Sequence, residues 1–236
     1  MEDILYIIYL IFLKKNNMKN QSLNIKLFFL VLLFFGSSYL MAQTKLYVHP
    51  DGDKYAESTN SIAILPLRTQ IKLRPKELKD FTQEQIIQMG KDESLDIQKG
   101  MHSWFLKRKQ RGELKANIQP PAQTNAKLLK AGIDIHDLDI YTPQELGEIL
   151  VVDCLIMGTF ETSKPMGSGA ALGIMLLTGG AAATSSATVN MDFYNTKDGE
   201  LVVNYLKQIK GSLGSNAQDL INVLMRKVTR RIPYTK

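Results

Sequence analysis

The chain predicts an α/β fold: a mixed sheet with packed crossover helices and a C-terminal β-hairpin followed by a helix. Three observations carry that expectation. Short β-branched runs at 61–67 and 154–162 are separated by stretches of helical periodicity, the alternation that builds a sheet with crossover helices. Two capping signals, Thr82 with Gln85 and Thr142 with Glu145, mark helix starts. Period-two segments at 188–194 and 201–209 flank Asp198 and Gly199, the pattern of a hairpin with one wet face.

In chain order, 43–60 is a polar lead-in segment, and the run from Ser61 to Leu67 is the first buried strand, which Pro66 places at a strand end or edge. Residues 69–80 read as a loop. Thr82 then caps the longest helix, carried by Ile86, Met89, Ile97, Met101, Trp104 and Phe105 toward Gly112. A weak strand at 114–119 ends at Pro120 and Pro121, which lack the amide donors a ladder needs. Residues 123–131 form a short helix closed by Gly132, a residue free to take the left-handed cap conformation. After a polar link at 134–139, Thr142, Pro143 and Glu145 open a helix over 143–150 that feeds the strand at 154–162. Beyond the hairpin, Ser215 to Asp219 caps a final helix with Leu220, Val223, Leu224 and Val228 on one face, stopped by Pro233. No internal repeat is visible.

The first 42 residues hold two apolar runs, 4–13 and 27–33 with its extension to Met41, each shorter than the roughly 20 residues of a spanning helix. From Met18 onward a basic stretch, an apolar stretch and small residues ending at Ala42 follow the layout of a secretory signal peptide. The expected organisation is therefore an upstream mis-start extension at 1–17, a signal peptide at 18–42 and one α/β domain at 61–236. The leader takes four of the 29 basic and two of the 23 acidic residues, leaving a mature charge of +4. That mild excess gives no reason to expect a nucleic-acid partner. Its clusters, 107–111 and 226–231, sit at helix ends, where cations favour the carbonyl pole of the helix dipole. The single cysteine, Cys154, permits no internal disulfide and leaves no thiol behind the leader to carry a lipid.

Candidate chemistry is sparse. His136 lies among Asp134, Asp137 and Asp139, but the spacing lacks the glycine turn and terminal glutamate of a calcium loop, and it has no zinc pattern. A polar link with local Asp turns is the expected reading. Cys154 begins an apolar strand beside Asp153, surroundings that raise a thiol's pKa and leave it inert. The glycines around Ser168 match neither a nucleophile elbow nor a dinucleotide fingerprint. No catalytic residue, metal ligand, cofactor or small-molecule substrate is expected.

The unusual feature is the uncharged Gly/Ala-rich insertion 166–187, which contains Leu172, Ile174, Met175, Leu176 and Leu177. Its glycines oppose a single spanning helix, at about 1 kcal/mol each relative to alanine. Exposed, its leucines would form the kind of apolar patch that marks a contact site. Three placements remain open at this level: packing on its own domain, contact with a partner or another copy, and contact with a membrane.

Four stretches carry a resemblance: 61–67, 125–133, 145–158, and 189–202 with its turn at 196–199. Together they resemble the CsgG-like and TolB N-terminal-like envelope domains across roughly residues 60 to 233. The resemblance implies a compact α/β domain in a periplasmic accessory or interaction protein. In curli-secretion members, membrane-spanning hairpins project from such a domain. This chain differs in lacking a lipid-bearing cysteine and in having one apolar insertion without clean period-two alternation. The leading expectation is a non-enzymatic exported envelope protein, periplasmic or associated with the outer membrane. It would act as an assembly or interaction module through an envelope partner or self-association, with Leu172, Ile174, Met175, Leu176 and Leu177 as contact residues. The alternative is an oligomeric membrane-inserting export component.

Overall fold

The computed structural model describes residues 44–73, 75, 77–162, 185–211 and 224–235 except 227 and 229. Their strands are β1 (Thr44–Val48), β2 (Ser61–Ile64), β3 (Arg68–Ile71), β4 (Asn117–Ile118), β5 (Cys154–Thr162), β6 (Ser185–Asn195) and β7 (Leu201–Gly211). The helices are α1 (Gly52–Ser58), α2 (Gln83–Gln110), α3 (Pro121–Lys130) and α4 (Pro143–Leu150), with short 3-10 turns at Glu77–Asp80 and Leu138–Ile140. The sheet runs β1-β7-β6-β5-β2-β4, with β3 also on β5. Pairs β5–β2, β2–β4 and β3–β5 are parallel, and the β1–β7–β6–β5 half is antiparallel. The α/β class and mixed sheet read from the sequence are thus the observed architecture.

Period two in β2 divides the core. Ile62 and Ile64 face α2, where Ile97, Met101, Trp104 and Phe105 join Ile156, Val189, Met191, Phe193, Tyr205 and the C-terminal residues Leu224 and Val228. Ala63 and Leu65 face the other way, onto Leu128 of α3, Leu146 and Leu150 of α4, and Leu155. Each fully buried Leu or Phe contributes about 1.5–3 kcal/mol, so these two layers supply most of the stability that a chain without disulfides requires. Aromatic edges lock the first layer: Phe105 meets Phe193 at 6.5 Å between centroids, and Phe193 stacks on Tyr234 at 5.6 Å.

The two capping boxes are made as expected. Thr82 accepts from the Gln85 amide while Gln85 reaches back, and Thr142 does the same with Glu145. At the far end of α2, Lys107, Arg108 and Lys109 fill the last turn, Arg108 lies 4.2 Å over Trp104 and pairs with Glu113. The basic cluster at 107–111 is therefore a tied helix end.

Several expectations change. The lead-in segment 43–60 carries β1, which pairs antiparallel with β7 as an edge of the sheet, and α1. Residues 69–80 are not a loop throughout: Arg68–Ile71 is β3, in parallel register with Thr159–Thr162. β2 and β3 are two lengths of one run along β5. Leu65 still donates to Ile156, but Pro66 has no amide to give, and the ladder resumes at Arg68 beyond Met157 and Gly158. Pro121 is the first residue of α3, not only a strand stop, and the weak strand at 114–119 contracts to two residues. The hairpin strands run longer than expected, to Ser185–Asn195 and Leu201–Gly211. Ser215 to Val223, the expected cap and first turns of the final helix, lie outside the described residues.

Asp153 staples the start of β5 to the start of β2. Its Oδ2 accepts from the Asn60 amide, the Ser61 amide and the Ser61 hydroxyl, each at 2.9 Å. Thr196 ties the hairpin turn to α4 by donating to the Val152 carbonyl at 2.5 Å, against Gly147, where an added Cβ would lie 2.3 Å from the Thr196 Cβ.

Candidate functional site

Leu172, Ile174, Met175, Leu176 and Leu177 lie outside the described residues, so their own placement is not described. Their anchor points are. Thr162 stands opposite Ala187 in the β5–β6 ladder, and Ser185 stands opposite Gly211 in the β6–β7 ladder. The insertion expected at 166–187 therefore joins two neighbouring antiparallel strands, and its last residues, Ser185 to Ala187, belong to β6. Ile71, at the end of β3, is also level with Thr162, so four strands come together at that margin of the sheet.

The antiparallel half has two unlike faces. Ala187, Val189, Met191 and Phe193 are buried on one side, whereas Thr188, Asn190, Asp192 and Tyr194 are only half-buried on the other. Register aligns that second face into rows: Met157, Asp192, Asn204 and Tyr47 in one, Thr159, Asn190, Leu206 and Lys45 in the next. At its centre Asn204 donates to Asn190 at 2.8 Å and to Asp192 at 2.5 Å, and Asn190 donates to Asp192 at 2.9 Å. Partial burial raises the Asp192 carboxyl above its ordinary value against the lowering effect of those two amides. Tyr47 is 46% exposed at the edge of this face.

A second feature is a cavity of about 360 Å³ past the carboxyl end of β2, beside the middle of β5 at Met157 and Gly158. Its walls are Leu65 to Thr69 from the β2–β3 break, Ile87, Gly90, Lys91 and Ser94 from α2, and Asp134 to Asp139 from the link before α4. Gly90 sets the spacing, because a Cβ there would sit 2.9 Å from the Thr69 carbonyl oxygen. Arg68 and Asp139 pair at 2.5 Å. Asp134 accepts from the His136 amide at 2.9 Å, the local Asp turn expected of this link. Burial, then Lys91, lowers the His136 pKa against the opposing pull of Asp134 and Asp137, which leaves a neutral imidazole at physiological pH.

Cys154 is fully buried, and burial pushes its thiol up to about 12, the inert structural thiol the sequence implies. His49 accepts from the Asp51 amide at 3.0 Å, and burial lowers the His102 pKa. Among the described residues no three His, Cys, Asp or Glu side chains are grouped to hold a metal ion, and no helix is long and apolar enough to cross a membrane. The cavity was not legible in the sequence, because its walls come from segments about 70 residues apart and only the His136 cluster gave a signal.

No protein-family model matches the chain, and no curated protein matches it. Several solved structures align with the chain. The PelC dodecamer from Paraburkholderia phytofirmans aligns at 12% identity and a TM-score of 0.38, over 83% of this chain and 98% of the other. Lipoprotein GNA1162 from Neisseria meningitidis aligns at 16% identity and a TM-score of 0.39, over 72% and 94%. The LpoB C-terminal domain from Salmonella enterica aligns at 8% identity and a TM-score of 0.29, over 67% and 94%.

Proposed function

We propose that this chain is a non-enzymatic exported protein of the cell envelope that acts as an assembly module, binding an envelope partner or further copies of itself. The observation that carries the reading is the position of the insertion. An uncharged apolar run containing Leu172 to Leu177 joins β5 to β6, anchored at Thr162 and Ser185 at the margin of a cross-braced sheet. An apolar segment on a rigid base is suited to contact rather than chemistry, since burying apolar area on association supplies the main driving force. Three features support the rest of the reading: the signal-peptide layout of 18–42, the mixed polar and aromatic sheet face beside Tyr47, and the inertness of Cys154.

Deleting residues 172–177 tests it. The circular dichroism of the domain should persist while the oligomer or partner pulldown is lost. An oligomer and pulldown that survive the deletion unchanged would show that the contact lies elsewhere.

A second reading has one observation in its favour. The insertion joins adjacent antiparallel strands, the geometry from which a hairpin can be prolonged into a bilayer as part of an oligomeric export component. Carbonate extraction separates the two, because an inserted protein stays with the membrane pellet and a peripheral one is released.

A further inference from the structure

The cavity between α2 and the link at 134–139 has the make-up of a ligand site that neither the contact reading nor the sequence assigns. It lies past the carboxyl end of β2, in the break before β3 where neither strand pairs with Met157 and Gly158 of β5. Its volume of about 360 Å³ lies at the small end of ligand pockets, which run from about 300 to 1,000 Å³. Leu65, Leu67, Ile135 and Met157 supply an apolar lining.

Its polar groups are unevenly satisfied. Ser94 lines the cavity and is 2% exposed, and its hydroxyl has no hydrogen-bond partner among the described residues. A buried hydroxyl left in that state costs stability unless something else completes it. Arg68 and Asp139 neutralise each other across their ion pair. Among the described residues Lys91, Asp134 and Asp137 form no contact ion pair, so the cavity wall carries side chains of both signs outside the Arg68–Asp139 pair. A purely anionic ligand would meet Asp134 and Asp137, and a purely cationic one would meet Lys91. His136 adds a neutral imidazole able both to donate and to accept.

We propose that this cavity binds a small zwitterion of the α-amino-acid class, its carboxylate held by Lys91 and Ser94 and its ammonium by Asp134 and Asp137. The apolar lining then receives the ligand's side chain. This assignment is independent of the assembly reading, since none of its residues belongs to 163–184.

The test is thermal melting and titration calorimetry of the purified chain with each of the twenty L-amino acids at millimolar concentration, with acetate, inorganic phosphate and ethylammonium as single-charge probes. At least one amino acid should raise the melting temperature saturably, and the single-charge probes should not. Ser94→Ala and Lys91→Met should each weaken that binding about tenfold or more, the loss expected for a hydrogen bond to a charged group. Ser94→Ala should fold at least as stably as the parent chain, because the hydroxyl it removes has no partner. The proposal is overturned if no amino acid binds. It is equally overturned if acetate or phosphate binds as tightly as any amino acid, or if both substitutions leave binding unchanged.

Discussion

Replacing Gly158 with alanine probes the break that shapes both the sheet and the cavity. Gly158 has φ +143°, a region open in practice to glycine alone. A Cβ built there would lie 2.0 Å from the Asn190 carbonyl oxygen and 3.2 Å from the Met191 Cα, so the obstruction is strand backbone and not a side chain that can swing aside. Backbone strain of about 1–3 kcal/mol and overpacking of about 1–3 kcal/mol then act together, for an expected cost of about 4 kcal/mol. Gly132 is the internal control. Its φ is +76°, but nothing lies within 4 Å of an added Cβ, so alanine there meets left-handed strain alone, about 1 kcal/mol. Urea unfolding followed by far-ultraviolet circular dichroism measures both variants. Since a domain's whole stability is about 5–15 kcal/mol, the Gly158 variant should lose a large part of its midpoint while Gly132→Ala shifts only slightly. Equal costs for the two, or a cost below about 1 kcal/mol for Gly158→Ala, would show that the Asn190 backbone does not confine this position.

Two further outcomes follow from the same core. Burial raises the Cys154 thiol to about 12, so the folded chain keeps a proton that the unfolded chain releases at its ordinary thiol value; that contribution is complete below the ordinary value and is lost as pH rises toward 12. Cys154→Ala should therefore flatten the alkaline decline in stability, and the native thiol should resist a thiol reagent at pH 8 that modifies the denatured chain; ready native labelling would contradict its burial. Asp153→Ala strands the amides of Asn60 and Ser61 and should cost about 3 kcal/mol in denaturant unfolding, with Asp153→Asn costing less because one acceptor oxygen remains.

What could be read in advance follows the range of the interactions. Capping boxes, the αL glycine after α3 and the hairpin turn are local, fixed by residues within a few positions of one another, and these were legible at Thr82, Thr142, Gly132 and Asp198. The start of β5 was legible because Cys154 to Met157 is a continuous apolar run. β1 and β3 were not, because these short, half-exposed stretches become strands only through pairing with β7 and β5, more than 80 residues away in the chain. The cavity was hidden for the same reason. His136 and its aspartates formed a visible cluster, yet Ser94 and Lys91 gained meaning only when α2 was laid beside them. The apolar insertion stood out in composition, and the register of β5 and β6 now gives its base, Thr162 and Ser185.

The most direct measurement of the assembly reading is photo-crosslinking in intact cells, with a crosslinking residue placed in turn at positions 172, 175 and 177 and, as a control, at the 74% exposed Leu129 of α3. Protein adducts, to another copy or to a defined partner, are expected from 172, 175 and 177 and none from 129. Adducts to lipid alone from the three insertion positions, or the same protein adducts from 129, would contradict the assembly reading.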